Sequence, residues 1–219
     1  MPEGPYARLG KRAVDLTLGS LLALAVLAPI AVLSIGSLIA FRAPPIFVQP
    51  RVGRGGRSFR FPKLRSMPDS VGTATPKRDL AAVPIPRWGR FLRRTHLDEL
   101  PQLLLVPFGR MSLVGPRPEM TALAHRYPNA LARTRGSVRP GCTGLWQISV
   151  ASNGMIYEAP EYDECYVAQL SWRLDLWLLA RTVPAMLGRR VRALDEIPAW
   201  VHPPRPARDG PGPAPEAAL

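Results

Sequence analysis

The sequence predicts an α-rich fold with a small β-hairpin: an N-terminal re-entrant membrane helix-break-helix, then a compact cytoplasmic domain with amphipathic interfacial helices. Three observations lead there: an uncharged apolar run from Leu16 to Phe41, a glycine-rich turn between two short extended pieces, and helical spacing of apolar residues over 158–192. The 219 residues suffice for one domain with appendages. With 47% hydrophobic and 21% charged residues, the chain is not disordered throughout, and neither collagen nor a coiled coil fits, despite 18 glycines and 26 prolines. The expected division is a basic flank at 1–12, the membrane helix at 13–42, the compact domain at 43–192 and a disordered proline-rich tail at 193–219.

The apolar run is long enough to cross a hydrocarbon core of ~30 Å, and longer than the apolar part of a cleaved signal. Pro29 lies at its middle, where it removes one helix hydrogen bond, so a break is expected there. Arg8, Lys11 and Arg12 precede the run, and Arg42, Arg51, Arg54, Arg57 and Arg60 follow it. A spanning helix should show charge asymmetry. Basic residues at both ends place both ends on the cytoplasmic side and make the segment re-entrant; an ordinary kinked span is the alternative.

After the anchor, Ile46-Phe47-Val48 and Ser58-Phe59-Arg60-Phe61 flank Arg51-Val-Gly-Arg-Gly-Gly56, which reads as a hairpin. Residues 67–86 are polar and read as a loop. Trp88–Arg94 and Leu97–Phe108 carry helical spacing interrupted at Pro101 and Pro107, and Arg139-Pro-Gly-Cys-Thr-Gly144 is a turn. Over 158–192, Tyr162, Tyr166, Leu170, Leu174, Trp177 and Leu178 fall on one side. Trp172 and Trp177 interleave there with Arg173, Arg181, Arg189, Arg190 and Arg192, a mixture that suits a membrane interface or a core helix with a solvated face.

Charge narrows the partners. Against 16 acidic residues stand 29 basic ones, for a net charge of +13, so anions are expected: nucleic acid, phosphorylated small molecules or an acidic membrane. Cys142 and Cys165 are too few for a disulfide framework, and with three scattered histidines they make no His/Cys metal site.

The densest ionisable cluster is Arg90-Phe-Leu-Arg-Arg-Thr-His-Leu-Asp-Glu99. Neighbouring helical residues diverge by about 100°, so Asp98 and Glu99 cannot hold one small atom symmetrically, but one can attack while the other supports a metal or a base role. Helix capping competes with this reading, because Asp98 follows Thr95 by a capping-box spacing. Downstream, Pro116 and Pro118 bracket Arg117, either as a rigid loop or as a pinned mount for a phosphate-binding guanidinium. Lys63 and Arg65 add two cations that singly read as a solvated strand. Together these segments point to phosphoryl transfer at a membrane surface.

Six segments in order then carry a resemblance: Lys11-Arg-Ala-Val-Asp15 before the proline-broken run, Arg51-Val-Gly-Arg54, Lys63-Leu-Arg-Ser-Met67, Leu97-Asp-Glu-Leu-Pro-Gln102, Met111-Ser-Leu-Val-Gly-Pro-Arg-Pro118 and Arg139-Pro-Gly-Cys-Thr-Gly-Leu-Trp-Gln147. From about Lys11 to Arg190 the chain resembles the bacterial sugar transferase family, monotopic polyprenyl-phosphate sugar-1-phosphate transferases of the minimal catalytic form. The resemblance implies transfer of a sugar-1-phosphate from a UDP-sugar to undecaprenyl phosphate with release of UMP, initiating exopolysaccharide or other surface glycan assembly. It implies Mg²⁺ as cofactor, Asp98 as the nucleophile of a phosphosugar intermediate, Glu99 supporting the metal, and both as metal residues. Lys63, Arg65, Arg93, Pro116, Arg117, Pro118, Arg139 and Gln147 are the implied substrate-binding positions. The implied setting is the inner membrane with the catalytic domain on its cytoplasmic face; membrane lipid and a second copy in a homodimer are the further partners. The chain departs from the family pattern at Ala28-Pro29, where Ser-Pro is usual, at Arg110, where an aspartate is usual, and over 148–154.

Two other classes compete. An inert membrane-anchored scaffold of the same family has no need of Asp98, Glu99 and Arg117. A membrane-tethered nucleic-acid binder finds no stacking-aromatic motif in the sequence, so no nucleic-acid partner is expected.

Overall fold

In the computed structural model, residues 5–68, 83–187, 194–198 and 200 are described. The expected loop at 67–86 lies mostly outside them, as do Arg189, Arg190, Arg192 and nearly all of the proline-rich tail. The order is helix α1 (Lys11–Phe41), strands β1 (Ile46–Val52) and β2 (Ser58–Leu64), helix α2 (Arg87–Thr95), a 3₁₀ run (Leu97–Leu105), β3 (Ser112–Val114), α3 (Asn129–Gly136), β4 (Gly141–Thr143), α4 (Leu145–Ile148), α5 (Pro160–Ala168) and α6 (Trp172–Met186). Helix dominates and a two-stranded antiparallel hairpin stands among it, as expected.

Helix α1 runs through Pro29 as one element; the break expected there does not end it. One lost hydrogen bond is a local defect in a run of leucine and alanine, good helix formers. Its two ends both pack on the domain. At the start, Lys11 Nζ donates to Asp175 Oδ2 at 2.7 Å, Arg12 donates to the carbonyls of Val106 and Pro107, and Asp15 Oδ1 accepts from Ser112 Oγ and the Leu113 amide. Near the other end, Ser37 Oγ donates to the Arg65 carbonyl and accepts from Trp88 Nε1. Between them Leu24, Leu27, Val32 and Ile35 stand 49–67% exposed. A helix uncharged from Leu16 onward, tied down at both ends and bare in the middle, presents its apolar arc outward.

Phe61 of β2 faces Gln49 of β1, and Lys63 faces Phe47. Because directly opposed residues share a face and side chains alternate, Phe47, Gln49, Arg51, Phe59, Phe61 and Lys63 lie on one face of the hairpin. Pro50 and Pro62 are tolerated because each strand of a two-stranded ribbon is an edge. The turn uses Gly55 and Gly56 at positive φ (68° and 73°), where glycine carries no steric cost.

A second pairing, not foreseen from sequence, joins two of the motifs: β3 and β4 run parallel, Ser112 opposite Gly141 and Val114 opposite Thr143. The backbones approach so closely that a Cβ at Gly141 would lie 2.0 Å from the Gly115 amide nitrogen. Beneath the pair, Tyr162, Tyr166, Leu170, Leu174 and Leu178 are buried, the side their spacing indicated. The helical region over 158–192 is split, however. Ser171 caps α6 by accepting from the Leu174 amide, so α5 and α6 are separate helices. Opposite its buried stripe α6 exposes Trp172, Leu176 and Val183 at 56–62%, and Arg173 and Arg181 lie over the rings of Trp172 and Trp177. The helix thus has a core side and a bare apolar side.

Candidate active site

Helix α2 stops at Thr95 because His96 takes a left-handed conformation (φ 57°). The chain turns and re-enters a 3₁₀ run whose first turn holds Asp98 and Glu99. The run is nine residues long, well beyond the roughly four usual for 3₁₀ structure, and it contains Pro101, which lacks the amide donor an α-helix would use there. The capping reading of Asp98 finds no support: the Thr95 hydroxyl bonds back to Phe91 and Leu92.

The two carboxylates diverge. Asp98 is 8% exposed, and its hydrogen bond among the described residues is a long one from Ser66 Oγ at 3.5 Å. Burial pushes its pKa up; Lys63, Arg93 and His96 pull the other way, while Glu99 adds to the rise. Glu99 is held instead by two cations. Lys63 Nζ donates to Oε1 at 2.6 Å, and Arg117 grips both oxygens, Nη2 to Oε1 at 2.7 Å and Nη1 to Oε2 at 3.3 Å. Burial alone would raise the Glu99 pKa, but Arg117 and Lys63 outweigh it and hold the group well below the usual glutamate value. Glu99 is therefore a permanent anion that bridges two cations, and Asp98 is a sparsely bonded carboxylate beside them.

The Pro116-Arg117-Pro118 loop is pinned at three successive carbonyls. Pro116 accepts from the Gly141 amide, Arg117 from Arg135, and Pro118 from Arg51. The backbone is rigid here, as both readings of the sequence require. The other implied positions scatter. Exposed Arg93 is an electrostatic neighbour of Asp98. Arg65 Nε donates to the Pro44 carbonyl, tying β2 to the segment that follows α1. Gln147 lies against the carbonyls of Gly141 and Cys142 at 3.5 Å. Arg139 donates to the Gly109 carbonyl, and burial, then the like charges of Arg12 and Arg54, holds its pKa below the usual arginine value. Sequence reasoning passed over Ser66, which touches Asp98 although it stands inside the Lys63–Met67 motif.

Adjacent carboxylates of opposite character, Asp98 buried and Glu99 half-buried, among fixed cations suit attack on a phosphate ester. One supplies an oxygen nucleophile, and the cations offset the charge that otherwise repels it.

The description "bacterial sugar transferase" belongs to the family model that matches residues 6–189. The chain is 35% identical over 194 residues to the galactosyl transferase CpsE of Streptococcus agalactiae, with 82% of this chain and 42% of that protein aligned. It is 38% identical over 200 residues to the UDP-galactose-lipid carrier transferase of Erwinia amylovora, covering 84% and 41% respectively. To the UDP-glucose:undecaprenyl-phosphate glucose-1-phosphate transferase of Caulobacter vibrioides it is 37% identical over 203 residues, covering 85% and 74%. The chain thus spans 42% and 41% of the first two relatives.

Proposed function

The chain belongs to the bacterial sugar transferase family, and from that premise we propose that it transfers a sugar-1-phosphate from a UDP-sugar to undecaprenyl phosphate, releasing UMP. The observation that carries the reading is the pairing of a sparsely bonded buried Asp98 with a Glu99 clamped between Lys63 and Arg117. In the first step an Asp98 carboxylate oxygen forms a bond to the sugar-bearing phosphorus. The bond from that phosphorus to the bridging oxygen breaks, and UMP departs with the electron pair. In the second step a phosphate oxygen of undecaprenyl phosphate attacks the same phosphorus and returns Asp98 to its carboxylate. Lys63 and Arg117 offset the diphosphate charge, and Glu99 Oε1, accepting from both, holds them side by side.

Among the described residues no three His, Cys, Asp or Glu side chains gather as a metal cage. Mg²⁺ needs no such cage, since it commonly binds one or two carboxylates with the substrate's phosphates. The underused oxygens of Asp98 and Glu99 Oε2, with its one contact at 3.3 Å, fit that mode. Bound there, the ion would supply charge neutralisation on the diphosphate. The test is UMP release by the detergent-solubilised protein with undecaprenyl phosphate and a panel of UDP-sugars, with Mg²⁺ and with a chelator. Release with one sugar and none under chelation is expected; folded protein that releases UMP from no sugar overturns the reading.

Because attack needs ionised Asp98, the acid limb of kcat/KM should sit above the usual aspartate pKa of ~3.9. Lys63 is the strongest opponent of that rise, so Lys63→Met should move the limb to still higher pH. A pH–rate profile in which the limb stays or falls would contradict the assignment.

The re-entrant placement of α1, with both ends on the cytoplasmic face, is part of this proposal. Contacts of both helix ends with one domain, and the bare arc between, support it. A cysteine in place of Leu9, which is 78% exposed, should be shielded from an impermeant thiol reagent in intact cells and labelled in inverted vesicles. Labelling in intact cells would mean a true span.

A further inference from the structure

Two arginines outside the proposed catalytic cluster hold the backbone on which Arg117 stands. Arg51 Nη1 donates to the Pro118 carbonyl at 3.2 Å, and Arg135 Nη2 donates to the carbonyl of Arg117 itself. Their construction is parallel. Each side chain is nearly buried, 12% and 11% exposed, and each faces a buried acid, Glu119 for Arg51 and Asp163 for Arg135. Each lies over an aromatic ring, Arg51 5.3 Å from the centroid of Phe61 and Arg135 5.0 Å from that of Tyr127. The two halves connect, since the Tyr127 hydroxyl donates to Glu119 Oε2. Asp163, Arg135, Tyr127, Glu119 and Arg51 thus form one chain of contacts behind the loop.

The same chain reaches the other cation. Phe61 lies between Arg51 and Lys63, whose Nζ is 5.6 Å from the ring centroid. The Val52 amide donates to the Glu119 carbonyl, and Arg51 pairs with Met120 in a β-bridge, so the hairpin carrying Lys63 is fastened to the loop carrying Arg117. Stability alone is a poor reason for this arrangement. Arg51 Nε is buried without a partner among the described residues, a costly state for a charged donor. Burial and the nearby charge of Arg117 bring its pKa down to about 10.

We propose that Arg51 and Arg135 are positioning residues that, through the carbonyls of Pro118 and Arg117 and the Tyr127–Glu119 link, set the separation of Lys63 and Arg117 and so preform the diphosphate site. The proposal rests on the functional reading above. Its test uses the full chain in detergent and two readouts: the Kd for inorganic pyrophosphate by calorimetry, and kcat and KM for UMP release. Arg135→Lys and Tyr127→Phe, which keep the charge and the ring respectively, should each weaken pyrophosphate binding and raise KM about tenfold, a coupling within the range found for neighbouring residues, in protein that stays folded at the assay temperature although its thermal midpoint falls with the lost buried bond. In an Arg117→Ala background the same two changes should have no further effect on either readout. Equal penalties in both backgrounds, or a native protein that does not bind pyrophosphate, would overturn the clamp. Loss confined to UMP release, with the pyrophosphate coupling intact, would instead overturn the functional reading.

Discussion

Asp98→Asn is expected to lower kcat for UMP release by on the order of 10⁴-fold or more, as loss of a covalent nucleophile does, while leaving the protein folded. The substitution keeps shape and volume, and the long contact from Ser66 at 3.5 Å can be made to an amide oxygen as well. The amide has no charge to offer phosphorus. Its effect on stability has a definite sign. The Asp98 pKa is raised in the folded state, chiefly by burial, so between the ordinary aspartate value and the folded one the native state holds more protons than the unfolded state. Stability therefore falls as pH rises through that window. An uncharged amide at this position escapes the penalty, so the variant should melt at or above the native temperature near neutral pH, the gain vanishing in acid. Release at a native rate would remove Asp98 from the role of attacking group, and a variant that melts well below the native protein would contradict the stability argument. A variant both inert and more thermostable is the pattern of an active site that gives up stability for chemistry.

The parts of this molecule legible in its sequence are those whose signal is local. The uncharged run at Leu16–Phe41 and the extended pieces around Gly53–Gly56 announce themselves by periodicity and turn residues. The divergence of Asp98 and Glu99 follows from helical geometry alone. Non-local facts were hidden. That Glu99 takes Lys63 and Arg117 while Asp98 takes Ser66 depends on β2 packing against the 3₁₀ run. The β3–β4 pair is carried by strands of three residues, too short for any alternation to register. Ser171 did leave a mark, a capping residue ahead of Trp172–Met186, but the continuous apolar stripe on both sides of it reads as one helix. Arg139 is another non-local case: nothing in its motif announces that its side chain donates to the Gly109 carbonyl.

The start of α1 yields the largest expected effect on stability. Lys11, 7% exposed, and Asp175, 4% exposed, pair at 2.7 Å across the junction of α1 and α6. Tyr6 donates to the same Asp175 oxygen, Tyr166 to the other, and Lys11 lies 5.8 Å from the centre of the Tyr166 ring. Lys11→Met deletes the cation and leaves a buried carboxylate with two hydroxyl donors, which should cost about 3–5 kcal/mol. For a chain of this length that is a fall of roughly 10 °C in melting temperature. The two tyrosines cannot substitute for the lost charge, because neutral donors bond a carboxylate less strongly than an ammonium does. Removing both charges together, Lys11→Met with Asp175→Leu, should recover much of the loss, since a buried pair exchanged for apolar groups is often neutral. The recovery should stay incomplete, as Tyr6 and Tyr166 lose their acceptor, although Tyr166 keeps the Val114 carbonyl. A single variant that melts like the native protein would show that α1 is held by Asp15, Arg12 and Ser37 without this pair. A double variant no better than the single would show that the tyrosine bonds, and not the unpaired charge, dominate the junction.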